Sequence, residues 1–265
     1  MEASLVVAAT YLSALVVGFT LVAIWETIAS ARPARVPLAS RWTPNFALLA
    51  VNHGVLPWLT PLSNAGAAWF ADERGIGLFH LIPVPKAVAW LVTFVALDAA
   101  RYAMHRLFHA FGPLWRLHRV HHSDVDYDLT VGLRFHPLEV LIANAVLAAI
   151  VLALGAPLWA VVASDAITIA HGFFAHGNVR LPAALDRALR VLVVTPGMHT
   201  LHHSVERDEA TSNLGSVLPW WDRLFGTYRD RARAGDAIEF GLSDERDAAR
   251  LGIRRLLLLP FATRG

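Results

Sequence analysis

The chain has 265 residues, of which 55% are hydrophobic and 17% charged, and its mean hydropathy is +0.46. Soluble domains carry about 25% charged residues, so this composition excludes an ordinary soluble domain and points to a membrane. A net charge of +2 gives no basis for a nucleic-acid partner. The absence of Cys excludes disulfides, thiolate ligands and iron–sulfur clusters held by this chain.

The first apolar run, Leu5 to Ile28, has one charge, Glu26, near its end. It is long enough to span a bilayer, and Glu2 ahead of it replaces the basic start of a signal peptide. Arg32, Arg35 and Arg41 follow, with Pro33 and Pro37 ending the helix. A second run, Phe46 to Phe70, is interrupted by Pro57 and Pro61 and reads as a kinked or shortened span. Asp72, Glu73 and Arg74 mark an aqueous loop, and a third run covers Val84 to Ala100. Val140 to Leu154 and Leu158 to Ile169 are each short for a full span; with Gly155-Ala156-Pro157 between them they read as a hairpin. After Asp230 the tail is charged, and its Leu256–Leu259 run is too short to cross a membrane.

The arginines orient these runs. Arg32, Arg35 and Arg41 place the first loop in the cytoplasm, and the third run brings Arg101, Arg106, Arg116 and Arg119 back to that side. The hairpin then leaves and returns, so residues 105–136 and 171–205 share the cytoplasmic side. The expected fold is all-α: an integral membrane bundle of about four crossing helices, or three plus a re-entrant hairpin, with a cytosolic histidine-rich helical cap. Its expected divisions are an N-terminal membrane region at 1–85, a catalytic domain at 86–230 and a cytosolic tail at 231–265. Richness in Ala, Arg and Leu suggests a bacterial inner membrane.

Ten of the 13 histidines fall into four clusters: His105 and His109; His118, His121 and His122; His171 and His176; His199, His202 and His203. Helical residues three or four apart share a face, so three clusters each aim imidazoles in one direction; the His171/His176 spacing suits a helix end or a bulge. Imidazole ligates zinc, copper, iron and nickel. Ten are too many for one ion, and two ions with about five nitrogens each would use them. A structural zinc needs only four ligands. His53 and His80 read as interfacial polar residues, and His136, in RFHPLE, either orients the site or starts a helix at Pro137.

The clusters and their surroundings resemble the fatty acid hydroxylase/sterol desaturase superfamily. DAARYAMHRLFH (98–109) is similar to the family's first box and WRLHRVHHS (115–123) to its second. HGN (176–178) and PGMHTLHHS (196–204) are similar to its third region, and Asn213-Leu214-Gly215 with WDRLFGTY (221–228) to the segment that closes the domain. The likeness covers roughly residues 90–230. Leu214 stands where an aromatic residue is frequent. The resemblance implies two iron ions, with zinc a substitute in a structure, and O2 as co-substrate. It also implies hydroxylation or desaturation of a lipid: a sterol, fatty acyl chain, carotenoid or ether lipid. No haem- or flavin-binding module is visible, so electrons are expected from a separate ferredoxin or small cytochrome.

Five residues are candidate partners of the ligand imidazoles. Asp98 lies two turns before His105 and is equally a partner for Arg101 or Arg106; His136 is described above. Asn178 and Asn213 either bond a ligand histidine or cap a helix, and Asp222 anchors the closing segment. Arg116, Arg119 and Arg223 meet an anionic headgroup or redox partner, or simply reflect the positive-inside bias. Three rival readings are a metal transporter or sensor, a zinc-dependent membrane hydrolase and a bis-histidine haem protein. Transport sites lie at mid-membrane, no HExxH is present, and facing His pairs are not what these spacings produce.

Overall fold

A computed structural model of the protein describes residues 2–55 and 63–262. The helices of seven residues or more are α1 (Glu2–Ala29), α2 (Leu38–Ala50), α3 (Asn64–Arg74), α4 (Lys86–Ala110), α5 (Gly112–His118), α6 (Pro137–Leu154), α7 (Leu158–His176), α8 (Ala183–Leu189) and α9 (Pro196–His202). Among the described residues there is no strand, only three isolated β-bridges.

The ends of these helices follow local chemistry. α2, α4, α7 and α8 start directly after Pro37, Pro85, Pro157 and Pro182. Proline's missing N–H costs nothing at such a start. Ser63 opens α3, its Oγ accepting the Gly66 N–H at 2.9 Å. α3 and α6 stop at Gly75 and Gly155, both in the left-handed region at φ 60° and 62°.

α1 (from Ser4), α4, α6 and α7 are long and apolar enough to cross a membrane. The last two runs, short in the sequence reading, become helices of 18 and 19 residues. Each is extended by residues that carry the site, Pro137–Glu139 at the start of α6 and Ala170–His176 at the end of α7. The Phe46–Phe70 run divides into α2, a π turn at Val51–Val55, and α3. Pro57 and Pro61 lie outside the described residues.

Leu5, Leu12, Leu21 and Leu91 are more than 60% exposed along these helices. Such apolar outer faces are stable against lipid and not against water. α1 runs along α7, and a Cβ on Gly18 would come within 3.0 Å of the Ala170 Cα. α3 lies against α6 and α7. Gly77, at φ 103°, abuts Gly155, with no room for a side chain between them. That contact fixes one end of the bundle, and the histidine clusters occupy the other.

One polar knot ties four helices within the apolar region. Asp165 of α7 pairs with Arg101 of α4 and accepts from Tyr11 of α1 and Asn64 of α3. Ser164 adds a weak contact to Arg101 at 3.4 Å. Neutralising charge by pairing is the means by which such residues are tolerated in lipid.

The C-terminal stretch packs onto the histidine end. Leu256 and Leu259, at 0% and 1% exposure, join Leu48 of α2, Val120, Leu242 and Leu251 in one apolar cluster. Ile238 and Phe240 pack against Tyr127 and Val131.

Candidate metal centre

The histidine end rests on a buried charged frame. Arg41 of α2 donates to Asp124 and Asp128, each at 2.7 Å. Arg134, 1% exposed, donates to Asn45 Oδ1, the Val120 carbonyl and Ser123 Oγ. Buried charges of this kind need complete hydrogen bonding to be tolerated. The frame fixes residues 120–128, the segment that carries His121 and His122 and continues past the second histidine box.

Nine imidazoles gather into two groups on this frame. His105, His109, His118, His122 and His202 form one; His121, His176, His199 and His203 form the other. Within each group, one potential ligand nitrogen per residue lies within 4.8 Å of all the others. Each HxxHH box is split between the groups. His118 and His122 turn to the first and His121 to the second; His199 and His203 turn to the second and His202 to the first. The expectation of one direction per cluster holds for His105 and His109, which share a group, and is corrected for the two HxxHH boxes. α5 ends at His118 and a 3-10 turn carries His121 and His122. α9 ends at His202, so adjacent histidines in each box diverge.

The ring nitrogens are oriented from behind. His105 Nδ1–H donates to the Leu214 carbonyl at 2.9 Å and His202 Nδ1–H to the Ser212 carbonyl at 2.9 Å. His118 Nδ1–H donates to Glu139 Oε1 at 2.6 Å, and His176 Nδ1–H to the Gly172 carbonyl at 2.7 Å. A carbonyl or carboxylate at Nδ1 fixes the proton there and leaves a lone pair on Nε2. In the first group the Nε2 atoms of all five rings are buried with no hydrogen-bond partner among the described residues. In the second the Nε2 atoms crowd together: His199–His176 at 2.9 Å, His203–His199 at 3.2 Å and His176–His121 at 3.3 Å.

A buried acceptor without a donor costs about 1–3 kcal/mol. In the first group the five Nε2 atoms make no bond to one another; in the second a ring can donate Nε2–H to its neighbour, but the buried His121 Nδ1 and His199 Nδ1 still lack a partner among the described residues. A cation in each group can take up the Nε2 lone pairs. A metal–imidazole bond of about 2.1 Å places adjacent ligand nitrogens about 3 Å apart, the spacing found in the second group. The donor set thus fits two ions. Outside the membrane spans, His121, His122, His199, His202 and His203 are held well below the ordinary imidazole pKa by burial, then by neighbouring imidazoles. That keeps them neutral, the form that ligates.

His171 is the one cluster histidine outside both groups. It sits on α7 five residues before His176, with its Nε2–H on the Val194 carbonyl at 2.9 Å.

The five candidate partners work mostly at one remove. Asp98 makes no hydrogen bond or salt bridge to an imidazole or an arginine among the described residues. It accepts the Val217 and Leu218 N–H groups and the Trp221 indole N–H at 2.9, 3.2 and 2.8 Å. Asp222 accepts from Leu214 N–H, Gly215 N–H and Thr227 Oγ1; burial raises its pKa. Both aspartates thereby hold the loop that presents the Leu214 carbonyl to His105. Asn213, at φ 51°, donates to the Met198 and Arg229 carbonyls and accepts the Arg229 N–H. Asn178 exchanges hydrogen bonds with the Arg32 backbone, clipping the α1–α2 linker to the end of α7. His136 caps α6 through Nδ1 and donates from Nε2 to the Leu257 carbonyl. Arg119 pairs with Asp244, and the Arg223 guanidinium lies over the Tyr228 ring.

Sequence reasoning missed Glu139, the carboxylate on His118. Its signal was a lone acid at the head of an apolar run, three residues after His136. It also missed Tyr127, whose hydroxyl donates to the Ala175 carbonyl and whose ring lies 5.3 Å from that of His203. The two carbonyl acceptors have no signal in the side-chain sequence.

A cavity of about 370 Å³ opens beside the groups. His105, His118, His121, His176 and His199 form one end; Leu15, Ala143, Leu147 and Ile169 line the apolar remainder, between α1, α6 and α7.

Apolar helices converging on two sets of buried, oriented imidazoles define a membrane protein of the histidine-cluster class. The chain belongs to the fatty acid hydroxylase family, which matches residues 90–227. It is 30% identical to an ornithine lipid hydroxylase, OlsE, of Rhizobium tropici over 181 residues, covering 68% of this chain and 53% of that protein. It is 28% identical to the alkylglycerol monooxygenase of Homo sapiens over 200 residues, 74% of this chain and 43% of that one. It is 34% identical to the very-long-chain aldehyde decarbonylase GL1-1 of Oryza sativa subsp. japonica over 153 residues, 53% and 23% of the two chains. The chain thus spans about half, or less, of the length of these relatives. No solved structure matches it significantly.

Proposed function

We propose that this protein is a membrane-bound di-iron oxygenase that hydroxylates a lipid C–H bond with O2, taking electrons from a separate redox protein. The observation that carries the reading is the pair of buried imidazole groups, in which all five Nε2 atoms of the first and the Nδ1 atoms of His121 and His199 in the second have no partner among the described residues. His105, His109, His118, His122 and His202 would hold one ion; His121, His176, His199 and His203 would hold the other. His171 stands at the cavity wall beside them. Iron bound here supplies the reduction of O2 and the oxidation of an unactivated C–H bond.

The rest is the work of this chain's residues. Leu214, Ser212, Gly172 and Glu139 orient the rings. The buried, closely packed site keeps bulk water from the reacting carbon. The apolar cavity walls admit a hydrocarbon chain from the bilayer. Two of the relatives are named for oxygenation of polar lipids, an ornithine lipid and an alkylglycerol, and this favours hydroxylation over desaturation. The arginine distribution supports a histidine end facing the cytoplasm, and the richness in Ala, Arg and Leu supports a bacterial inner membrane. The ring spacing counts against the haem alternative, because five rings whose nitrogens share one small volume leave no slot for a macrocycle.

The test uses the iron-loaded protein in membranes with a reductase system and labelled O2. The expected result is a lipid product heavier by one labelled oxygen atom, with two irons per chain. A product lighter by two hydrogens would redefine the protein as a desaturase, and no lipid change with retained metal would sink the oxygenase reading.

A further inference from the structure

Besides the ring nitrogens, the cavity wall holds two buried oxygens, on Asn52 and Glu139, with no partner among the described residues. Asn52, 6% exposed, donates from Nδ2 to the Phe135 carbonyl at 2.9 Å, while its Oδ1 is buried without a partner among the described residues. Glu139, 5% exposed, gives Oε1 to His118, while its Oε2 is likewise without a partner. Both residues line the cavity. Both lie toward its histidine end, since the ring of Phe135 stacks on His121 at 4.3 Å and Glu139 bonds His118 directly. Asn52 is carried by the π turn at Val51–Val55. Such turns interrupt a regular helix at some cost and recur at functional positions.

Each orphaned atom is an acceptor, and a buried acceptor left bare is costly. The remaining wall is mainly apolar, with room for roughly a dozen waters at about 30 Å³ each, or a hydrocarbon segment of similar bulk. The complementary ligand has a hydrogen-bond donor at one end and a saturated chain at the other. We propose that this cavity selects lipids bearing a free hydroxyl or amide N–H close to the carbon that meets the metal site, and that Asn52 and Glu139 are the residues that read that donor. Lipids with no donor near that carbon leave both oxygens bare and are disfavoured. The place of the reacting carbon rests on the oxygenase reading; the binding preference does not.

The experiment measures binding, with the metal-loaded full chain in nanodiscs and protein-free nanodiscs as the reference for partitioning. The probes are 1-O-hexadecylglycerol and its 2,3-di-O-methyl ether, which share one chain and differ in donors. The wild-type protein should bind the free diol about tenfold more tightly, the value of about one well-placed buried hydrogen bond. Asn52→Leu keeps the bulk and removes the acceptor, so the ratio should fall toward one with metal content unchanged. Glu139→Gln replaces Oε2 with a donor and, compared at a metal concentration that restores full occupancy of the weakened five-histidine group, should lower the ratio as well, which keeps the idea testable if Asn52→Leu fails to fold. Equal binding of the two probes by the wild type, or a tenfold preference surviving in a folded variant, overturns the proposal. A labelled-oxygen assay on the same preparations separates the two readings. Turnover without diol preference defeats this inference alone, and diol preference without turnover defeats only the oxygenase assignment.

Discussion

The five-histidine and four-histidine groups draw on the same boxes but are braced from different places. In the first, His105 and His202 lean on carbonyls of the 212–214 loop, and His118 leans on the Glu139 carboxylate. Every one of these supports comes from a different part of the chain than the ring it holds. In the second, His176 leans on Gly172 of its own helix, and Tyr127 packs beside His176 and His203. Rings of both groups converge from separate segments, but the first group's supports are tertiary contacts, whereas His176 of the second is held from within α7. The two should therefore fail separately, and the first should be easier to disturb from a distance.

Direct removal of a ligand is the strongest way to separate them. His202→Ala should lose the ion of the five-histidine group and His176→Ala that of the four-histidine group. Metal analysis should read one ion per chain in either case, and activity should fall by at least about 100-fold. If either variant keeps both ions, the division into groups is wrong.

Acid should strip both groups together. The folded state holds His121, His122, His199, His202 and His203 below their unfolded pKa of about 6.5. The unfolded chain therefore binds protons that the folded chain refuses, so stability is complete above that pH and falls as the pH drops below it. Metal content followed from pH 7.5 to 4.5 should decline with it. A flat profile would contradict the burial of these rings.

Glu139→Gln sharpens the contrast. It should weaken metal binding by about 10–100-fold at the five-histidine group alone, visible as one weak and one unchanged site in a chelator titration. Equal weakening of both sites would show that the groups are not independently braced. Asp222→Ala probes the same group from further away. It removes the acceptor of Leu214 N–H, Gly215 N–H and Thr227 Oγ1 and should destabilise the fold by about 3 kcal/mol, with the ion near His105 lost first. Tyr127→Phe, on the side of the four-histidine group, deletes one hydrogen bond to Ala175 and should cost about 1 kcal/mol in thermal denaturation. A larger loss than that of Asp222→Ala would reverse the ranking.

Much of this was legible in the sequence. The all-helical membrane architecture followed from run lengths, and the proline and glycine punctuation matched the helix ends. The placement of every cluster at one end followed from arginines and run count. The membership of the two groups was not legible, because it depends on where α5 and α9 stop. One residue more of helix would turn His121 or His203 to another face. Asp98 read as a partner of His105 because both fit one helical face, yet it serves the 217–221 segment, a contact between residues about 120 apart that no local spacing encodes. Backbone carbonyl acceptors were invisible for the same reason.

The knot of Arg101 and Asp165 bears on how the protein is made. The two residues are 64 positions apart, so during synthesis α4 reaches the bilayer well before α7 exists. An arginine within a spanning helix opposes insertion by about 2.5–3.5 kcal/mol, and its counter-charge arrives only with the last spanning helix. Early α4 is therefore a poor membrane segment that must wait at the translocon or the interface. A nascent chain halted before residue 158 should insert α4 less completely than the full-length protein in a glycosylation-tag assay, and Arg101→Leu should remove the difference.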